Sequence, residues 1–362
     1  MKNMDKAAYP FITAVMPARN EERFISSTLD ELLGQDYPPD SFEIIVADGG
    51  STDSTREIVS RVSLAHPQVI LRDNPGRLPS SGRNVGFRHG RGDIFMVVDG
   101  HCRIGNPRLF KDVVSSFRKS GADCLCRPQP LDPPGLSVFQ QAVCLARNSR
   151  LGHSGGSYIY SDYEGYVSPV SHGAIYSRRV FEKIGYVDES FDACEDVEFN
   201  YRVEKAGFKS YMSPSLKVRY YPRETAYGLL RQMMRYGRGR FRFIVKHPET
   251  LGIETLLPPA FVAAALLLPV LALAALFSGM AFLKLSLAFL LAGFGLYGLL
   301  IAVESTRISA KNGFRYFRHL APVFFAIHFG LGLGFIAGIF MTLRGGTAFL
   351  LGQGKAVGGQ YL

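Results

Sequence analysis

Asp99 and His101, separated by Gly100, close the apolar run Ile94–Val98. An acid and an imidazole one residue apart point the same way if strand geometry continues through the glycine. Such a pair can hold a divalent cation, and the cation can hold a diphosphate. Asp and Gly are also ordinary at a strand-to-turn transition, so the pair draws its weight from its company. Arg19-Asn20-Glu21 follows the apolar run Phe11–Met16, and Asp48 with Asp53 follows Phe42–Ala47. Carboxylates such as Asp48 can accept hydrogen bonds from a nucleobase or ribose, and Arg83 can grip phosphate as a planar fork. Farther on, Glu195 and Asp196 stand side by side after Cys194, at the start of a helical stretch. There a carboxylate serves equally as a general base or as an N-cap, and the two acids can exchange roles.

The elements around these clusters alternate. Phe11–Met16 reads as a buried strand, followed by a helix with Phe24, Ile25, Leu29, Leu32 and Leu33 on one face, ended by Gly34 and Pro38-Pro39. Phe42–Ala47 is a second strand, Ser54–Leu64 a helix, Val69–Leu71 a third strand, and Ser80-Ser81 opens a helix carrying Arg83 and Asn84. The run Ile94–Val98 is the fourth strand, too short for a helix and too uniformly apolar for an exposed edge. Strand and helix in alternation predict an α/β, doubly wound, mostly parallel sheet. The carboxyl ends of its first, second and fourth strands are neighbours, so the clusters converge on one crevice. Past His101, the pattern predicts helices at 106–119, 136–150, 177–184 and from 192 to Ala206, and a strand at 123–127. Leu151–Ser168, rich in Gly, Ser and Tyr, has no periodicity and is expected to be a mobile loop over the site.

The last third differs. In 225–246, Arg231, Arg235, Arg238 and Arg242 fall on one helical face, and Gly237 with Gly239 predict a break. This stretch is expected to lie at an anionic membrane surface. Leu256–Phe277, Ala281–Val303 and Leu320–Leu343 are each near the ~20 residues that cross a bilayer. Between the second and third, Arg307, Lys311, Arg315 and Arg318 face a single Glu304, which places that loop in the cytosol. The first apolar run is too short for a signal-peptide core, so the N-terminal part is expected to stay cytosolic. Five cysteines without C-x-x-C spacing indicate neither a zinc site nor a disulfide frame. The net charge of +10 asks for an anionic partner.

PARNEE at 17–22, ADGGSTDST at 47–55, SGRNVGFRHGRGDIFMVVDGH at 81–101 and GYVDESFDACEDVEFNYRVEKAGF at 185–208 together resemble the inverting family 2 glycosyltransferases. They look most like those of succinoglycan-type exopolysaccharide synthesis, and RQMMRYGRG at 231–239 is similar too. The resemblance spans about residues 11–245 and implies a GT-A type sheet. It further implies that Pro17, Arg19, Asn20, Glu21, Asp48, Gly50, Arg83, Asn84 and Asp99 bind a nucleotide sugar, expected to be a UDP-sugar. Asp99 matches the first acid of the family's D-x-D motif, and His101 stands where the second acid, a metal ligand, would be. The cofactor implied is a divalent cation, Mn or Mg; an imidazole suits transition metals better than magnesium. Asp196 matches the catalytic base, with Glu195 beside it. Gln232, Arg235 and Tyr236 resemble a Q-x-x-R-W motif, with Tyr in place of Trp, that serves acceptor or diphosphate.

The chain is therefore expected to hold a cytosolic glycosyltransferase domain at 1–224, a basic interfacial segment at 225–250, three transmembrane helices within 251–345 and a flexible tail at 346–362. It would sit in the cytoplasmic (inner) membrane and extend a polyprenyl-diphosphate-linked saccharide. Two alternatives remain open: a polyprenyl-phosphate sugar synthase, and a membrane-bound nucleotide-binding regulator without catalysis. A nucleic-acid partner is not expected, because the Arg stripe adjoins the apolar spans and no aromatic single-strand platform accompanies it. A dinucleotide oxidoreductase would need G-x-G-x-x-G where the chain reads PARNEE. His172, ahead of Gly173-Ala174, could face an acceptor, although loop polar residues mostly have no site role.

Overall fold

The structure, a computed structural model, describes residues 9–153, 157–170, 172–278 and 280–350. Among these, one compact unit takes 9–134 and 157–221, and a second takes 135–153, 222–278 and 280–350.

The first unit runs β1 (Ile12–Ala18), α1 (Ile25–Leu33), β2 (Phe42–Asp48), α2 (Thr55–Ala65), β3 (Val69–Asp73), α3 (Pro79–His89), β4 (Ile94–Val97), β5 (Cys102–Arg103), α4 (Leu109–Ser120) and β6 (Cys124–Cys126). The chain then leaves for α5 (Val138–Arg147) in the second unit and returns with β7 (Gly165–Tyr166), β8 (Gly173–Ser177), α6 (Arg178–Ile184), α7 (Glu195–Lys205), β9 (Ser210–Met212) and β10 (Arg219–Tyr220). Eight strands form one sheet in the order β3-β2-β1-β4-β8-β6-β9-β7, with β10 and β5 as a separate antiparallel ribbon. The β1–β4 half is parallel throughout, whereas β8 runs antiparallel to both β4 and β6.

Period-two alternation splits the strand residues between two cores. Ile94 and Met96 pack with Ala14, Met16, Ile44 and Val46 on one face. Val15, Phe95 and Val97 pack with Phe87, Tyr176, Phe181 and Phe199 on the other. Both faces are thus covered, which is why these strands read as unbroken apolar runs. The strand β8 was not expected; it opens on Gly173 and has an apolar run of just Ala174–Tyr176, yet all five of its residues are buried. Within 157–168, expected as loop, the chain contributes β7 and stacks Tyr158 on Tyr163.

The second unit comprises α5, α8 (Ala226–Lys246), α9 (Ile253–Ser278), α10 (Ala281–Asn312) and α11 (Phe317–Leu350). Residues 135–153, grouped by the sequence with the first domain, instead pack here: Ala142, Val143 and Ala146 share a core with Leu229, Met233, Leu320, Phe324 and Ile327. Tyr316 donates to Gln141 Oε1 at 2.6 Å, and Gln140 donates to the Pro222 carbonyl at 2.9 Å. α9, α10 and the stretch Phe314–Leu343 are long and apolar enough to cross a membrane. Of the expected tail, 346–350 continue α11, and 351–362 lie outside the described residues.

The expected break in α8 is absent. Gly237 is buried against α11, where a Cβ would fall 2.1 Å from the Leu331 carbonyl oxygen, and a Cβ on Gly334 of α11 would fall 2.0 Å from that of Met234. The glycines cost helix propensity but let two backbones touch, the packing used where apolar helices associate without a hydrophobic drive. Replacing Gly334 with leucine is expected to destabilise this unit by ~1–3 kcal/mol or more, as overpacking does. A lowered unfolding midpoint of the solubilised protein would register the change, whereas Gly295→Leu on α10, where a Cβ meets nothing within 4 Å, should leave it in place.

Candidate active site

The loops after β1 and β2 are sewn together. Asn20, in the left-handed region at φ 57°, accepts the Thr52 amide on Oδ1 at 2.9 Å, and its own amide donates to Ser51 Oγ at 3.0 Å. The Glu21 amide donates to Thr55 Oγ1 at 2.7 Å. Pro17, half-buried, is the last residue but one of β1, beside Ala47; Arg19 lies half-buried just past the strand, and Gly50 is exposed in the second loop. Asp48 is 3% exposed, with Oδ1 taking the Ser51 amide and hydroxyl and Oδ2 pairing with Arg56 at 3.2 Å. Both of its oxygens are thus engaged, with Arg56 as a companion the sequence did not single out. Hydrogen bonds to Asp73 and Asp48 hold the Arg56 guanidinium above its ordinary value.

Asp99 lies half-buried past the end of β4, and His101 Nδ1 stands 2.7 Å from Glu21 Oε1. A carboxylate oxygen accepts, so Nδ1 is the donor in this contact; in the neutral tautomer with Nδ1–H the ring's lone pair lies on Nε2. A carboxylate behind an imidazole is the usual brace of a metal-binding histidine. Among the described residues no three His, Cys, Asp or Glu side chains gather as a metal site. Asp99 and His101 are two side chains of metal-ligating type, and cations that serve phosphate substrates ordinarily take the rest of their shell from phosphate oxygens and water.

Glu195 and Asp196 start α7, where the helix dipole favours negative charge. The preceding Cys194 sits at φ 62°, a strained conformation for a residue with a Cβ. Glu195 is 6% exposed and pairs with Arg83 Nη2 of α3 at 3.2 Å, whereas Asp196 is half-buried, with one oxygen on the Val197 amide at 2.8 Å. Burial, opposed by Arg83 and aided by Asp196, pushes the Glu195 carboxyl up. Burial works against the Arg83 charge, but Glu195, Asp196 and Asp99 outweigh it and hold the guanidinium above its ordinary value.

Arg83 and Asn84 are expected beside base and diphosphate; Arg83 pairs with Glu195, and Asn84 is buried. Asn84 donates to the Val187 carbonyl at 2.8 Å and to Glu189 at 2.7 Å, and accepts the Val187 amide at 3.0 Å. The pair fastens the approach to α7. Gln232, Arg235 and Tyr236 lie on α8 in the second unit, Gln232 donating to the Tyr236 hydroxyl at 3.4 Å.

Sequence reading passed over Arg127 and Tyr220. Arg127 follows β6, is 1% exposed and donates from Nη2 to the Tyr220 hydroxyl at 2.8 Å. Tyr220 pairs in register with Cys102, and its ring centroid lies 6.2 Å from that of His101. A cation immediately past a buried strand was the available signal, the same one that marked Arg19. His172 is buried rather than facing outward, and burial pushes its imidazole down to about 4. A folded value below the unfolded ~6.5 means stability in full above pH ~6.5 that is lost as pH falls toward 4. The unfolding midpoint should therefore drop between pH 7 and 4.5, and His172→Gln should flatten that slope.

A family model described as "Glycosyl transferase family 2" matches residues 13–185, and another, "Glycosyl transferase family group 2", matches 139–340. The succinoglycan biosynthesis protein ExoA of Rhizobium meliloti (strain 1021) is 34% identical over 251 residues, 68% of this chain and 74% of its own length. The dolichyl N-acetyl-alpha-D-glucosaminyl phosphate 3-beta-D-2,3-diacetamido-2,3-dideoxy-beta-D-glucuronosyltransferase of Methanococcus voltae is 26% identical over 243 residues, 65% of this chain and 74% of its own. A solved mannosyltransferase from Pyrobaculum calidifontis, in complex with GDP-Man and Mn2+, is alike in fold, with a TM-score of 0.55 at 18% identity over 90% of each chain.

Proposed function

This chain belongs to glycosyl transferase family 2, and from that premise we propose that it is a membrane-attached inverting enzyme. It moves a sugar from a nucleotide-sugar donor, a UDP-sugar, to a polyprenyl-diphosphate-linked saccharide in cell-surface or exopolysaccharide synthesis. One observation carries the reading: an accessible carboxylate, Asp196, stands beside a buried one, Glu195, that Arg83 holds in place. The names of the Rhizobium and Methanococcus relatives, one in succinoglycan synthesis and one acting on a dolichyl-linked sugar, support the acceptor class. The exposed apolar faces of α9 and α10 support lipid contact, since Leu273, Phe282 and Phe289 are all more than half exposed. Positive charge around Arg307, Lys311, Arg315 and Arg318 supports a catalytic unit on the cytosolic side of the cytoplasmic membrane.

In this reading Asp196 takes the proton of the acceptor hydroxyl as that oxygen bonds to the anomeric carbon. The bond from that carbon to the diphosphate oxygen breaks, and nucleoside diphosphate leaves with the electron pair. A single displacement inverts configuration, as in one-step glycosidases. A divalent cation on Asp99 and His101 would supply positive charge to the departing diphosphate. Glu21 keeps the His101 ring oriented, and the loops carrying Pro17, Arg19, Asn20, Asp48 and Gly50 wall the nucleotide crevice. Gln232, Arg235 and Tyr236 serve the acceptor diphosphate.

The test is nucleoside diphosphate release by membranes holding the protein, with UDP-, GDP- and TDP-sugars, magnesium or manganese, and a lipid-linked acceptor extract. Release with one donor that depends on acceptor identifies the sugar. Donor binding without turnover under every metal and acceptor would overturn the transferase reading.

A further inference from the structure

Arg127 is among the largest fully buried side chains of the first unit, yet its Nε and Nη1 meet no hydrogen-bond partner among the described residues. Its Nη2 donates to the Tyr220 hydroxyl. A guanidinium offers five N–H donors and no acceptor, and buried cations ordinarily meet a counter-charge. His172, whose carbonyl accepts the Arg127 amide at 3.2 Å, adds two buried ring nitrogens that are likewise unmet among the described residues. The Tyr220 phenol accepts from Arg127 and has its own O–H left to donate. Tyr220 links Arg127 to the crevice, its ring centroid 6.2 Å from that of His101.

We propose that Arg127 and Tyr220, with His172 alongside, form an oxyanion subsite for the nucleotide-sugar donor, filled by a diphosphate oxygen or by a carboxylate on the sugar ring. Only a group rich in lone pairs and negatively charged satisfies so many unmet donors at once, and a planar guanidinium suits both oxyanions. A neutral hydroxyl would leave the charge uncompensated in a site that excludes water. The inference rests on the donor reading above and adds the residues that read the donor's charge.

Calorimetric titration of the full-length protein in lipid nanodiscs tests it. The probes are the monophosphate, the diphosphate, the neutral hexose donor and the hexuronate donor of whichever nucleoside the wild type binds. Arg127→Gln is expected to weaken binding about tenfold or more through loss of a charge-assisted contact. If the diphosphate is the ligand, diphosphate and both donors weaken together while the monophosphate does not. If the sugar carboxylate is the ligand, only the hexuronate donor weakens. Tyr220→Phe should reproduce the chosen pattern with a smaller loss, and Arg127→Lys, which keeps the charge without the fork, carries the test if Arg127→Gln does not fold. Affinities within twofold of wild type for all four probes in a folded Arg127 variant would overturn the subsite and leave the transferase reading standing. A wild type that binds none of the nucleotides overturns both.

Discussion

Asp196→Asn is expected to lower the rate of sugar transfer by roughly 10²–10⁴-fold, the range a positioned general base contributes, while donor affinity stays within about twofold. The substitution keeps the shape and the hydrogen bond from the Val197 amide, which the asparagine carbonyl can still accept. What it removes is the ability to take a proton. Single-turnover nucleoside diphosphate release, with donor affinity measured alongside, separates the two effects. Glu195→Gln should behave differently, because its carboxylate is buried against Arg83 and Asp196 is the more accessible acid. It should cost stability first and rate second. A Glu195→Gln variant that loses the chemical step while Asp196→Asn retains it would reverse the assignment of the base.

Arg83→Gln is expected to be the most destabilising single change in the first unit. The Arg83 side chain is 13% exposed and that of Glu195 8%, so the pair is largely desolvated. Removing one partner of a buried ion pair costs ~3–5 kcal/mol, because the other charge is left without compensation. The cost has a pH signature. Glu195 already sits above its ordinary carboxylate range, and without Arg83 it rises further. A carboxyl raised in the folded state stabilises below its unfolded value and loses that contribution as pH climbs through the folded one. Arg83→Gln should therefore lie near wild-type stability in acid and fall away from it toward neutral pH. The double variant with Glu195→Gln should recover much of the loss, since two neutral amides can share a hydrogen bond. Equal destabilisation of Arg83→Gln at every pH would show that the pair is not what holds α3 to α7.

Much of the first unit was legible because its signals are local. Uniform apolar runs marked β1, β2 and β4, and the polar clusters past them marked the crevice. What escaped depends on contacts distant in sequence. β8 begins on a glycine and is a strand only because β4 and β6 flank it. Arg83 and Asn84 read as a pair near base and diphosphate; their partners within the chain lie about a hundred residues on, a distance no spacing rule reports. Gly237 and Gly239 read as helix breakers because propensity is a property of the isolated helix, whereas here α11 packs directly on Gly237 and the helix runs through. Arg127 escaped because it reads as the last residue of the strand expected at 123–127, and its full burial is not visible in the sequence.

The excursion of residues 135–153 into the second unit has a consequence for how the protein is made. α5 leaves the ribosome ahead of α8 and α11, whose side chains cover its Ala142, Val143 and Ala146. At ~5–20 residues per second, the roughly eighty residues from α5 to α8 take several seconds to synthesise, and α11 comes later still. Throughout that interval the nascent chain carries an amphipathic helix with an uncovered apolar side. Shortening the chain after β10 would make that state permanent, so a soluble catalytic fragment cut there should aggregate unless 135–153 is excised or repolarised with it.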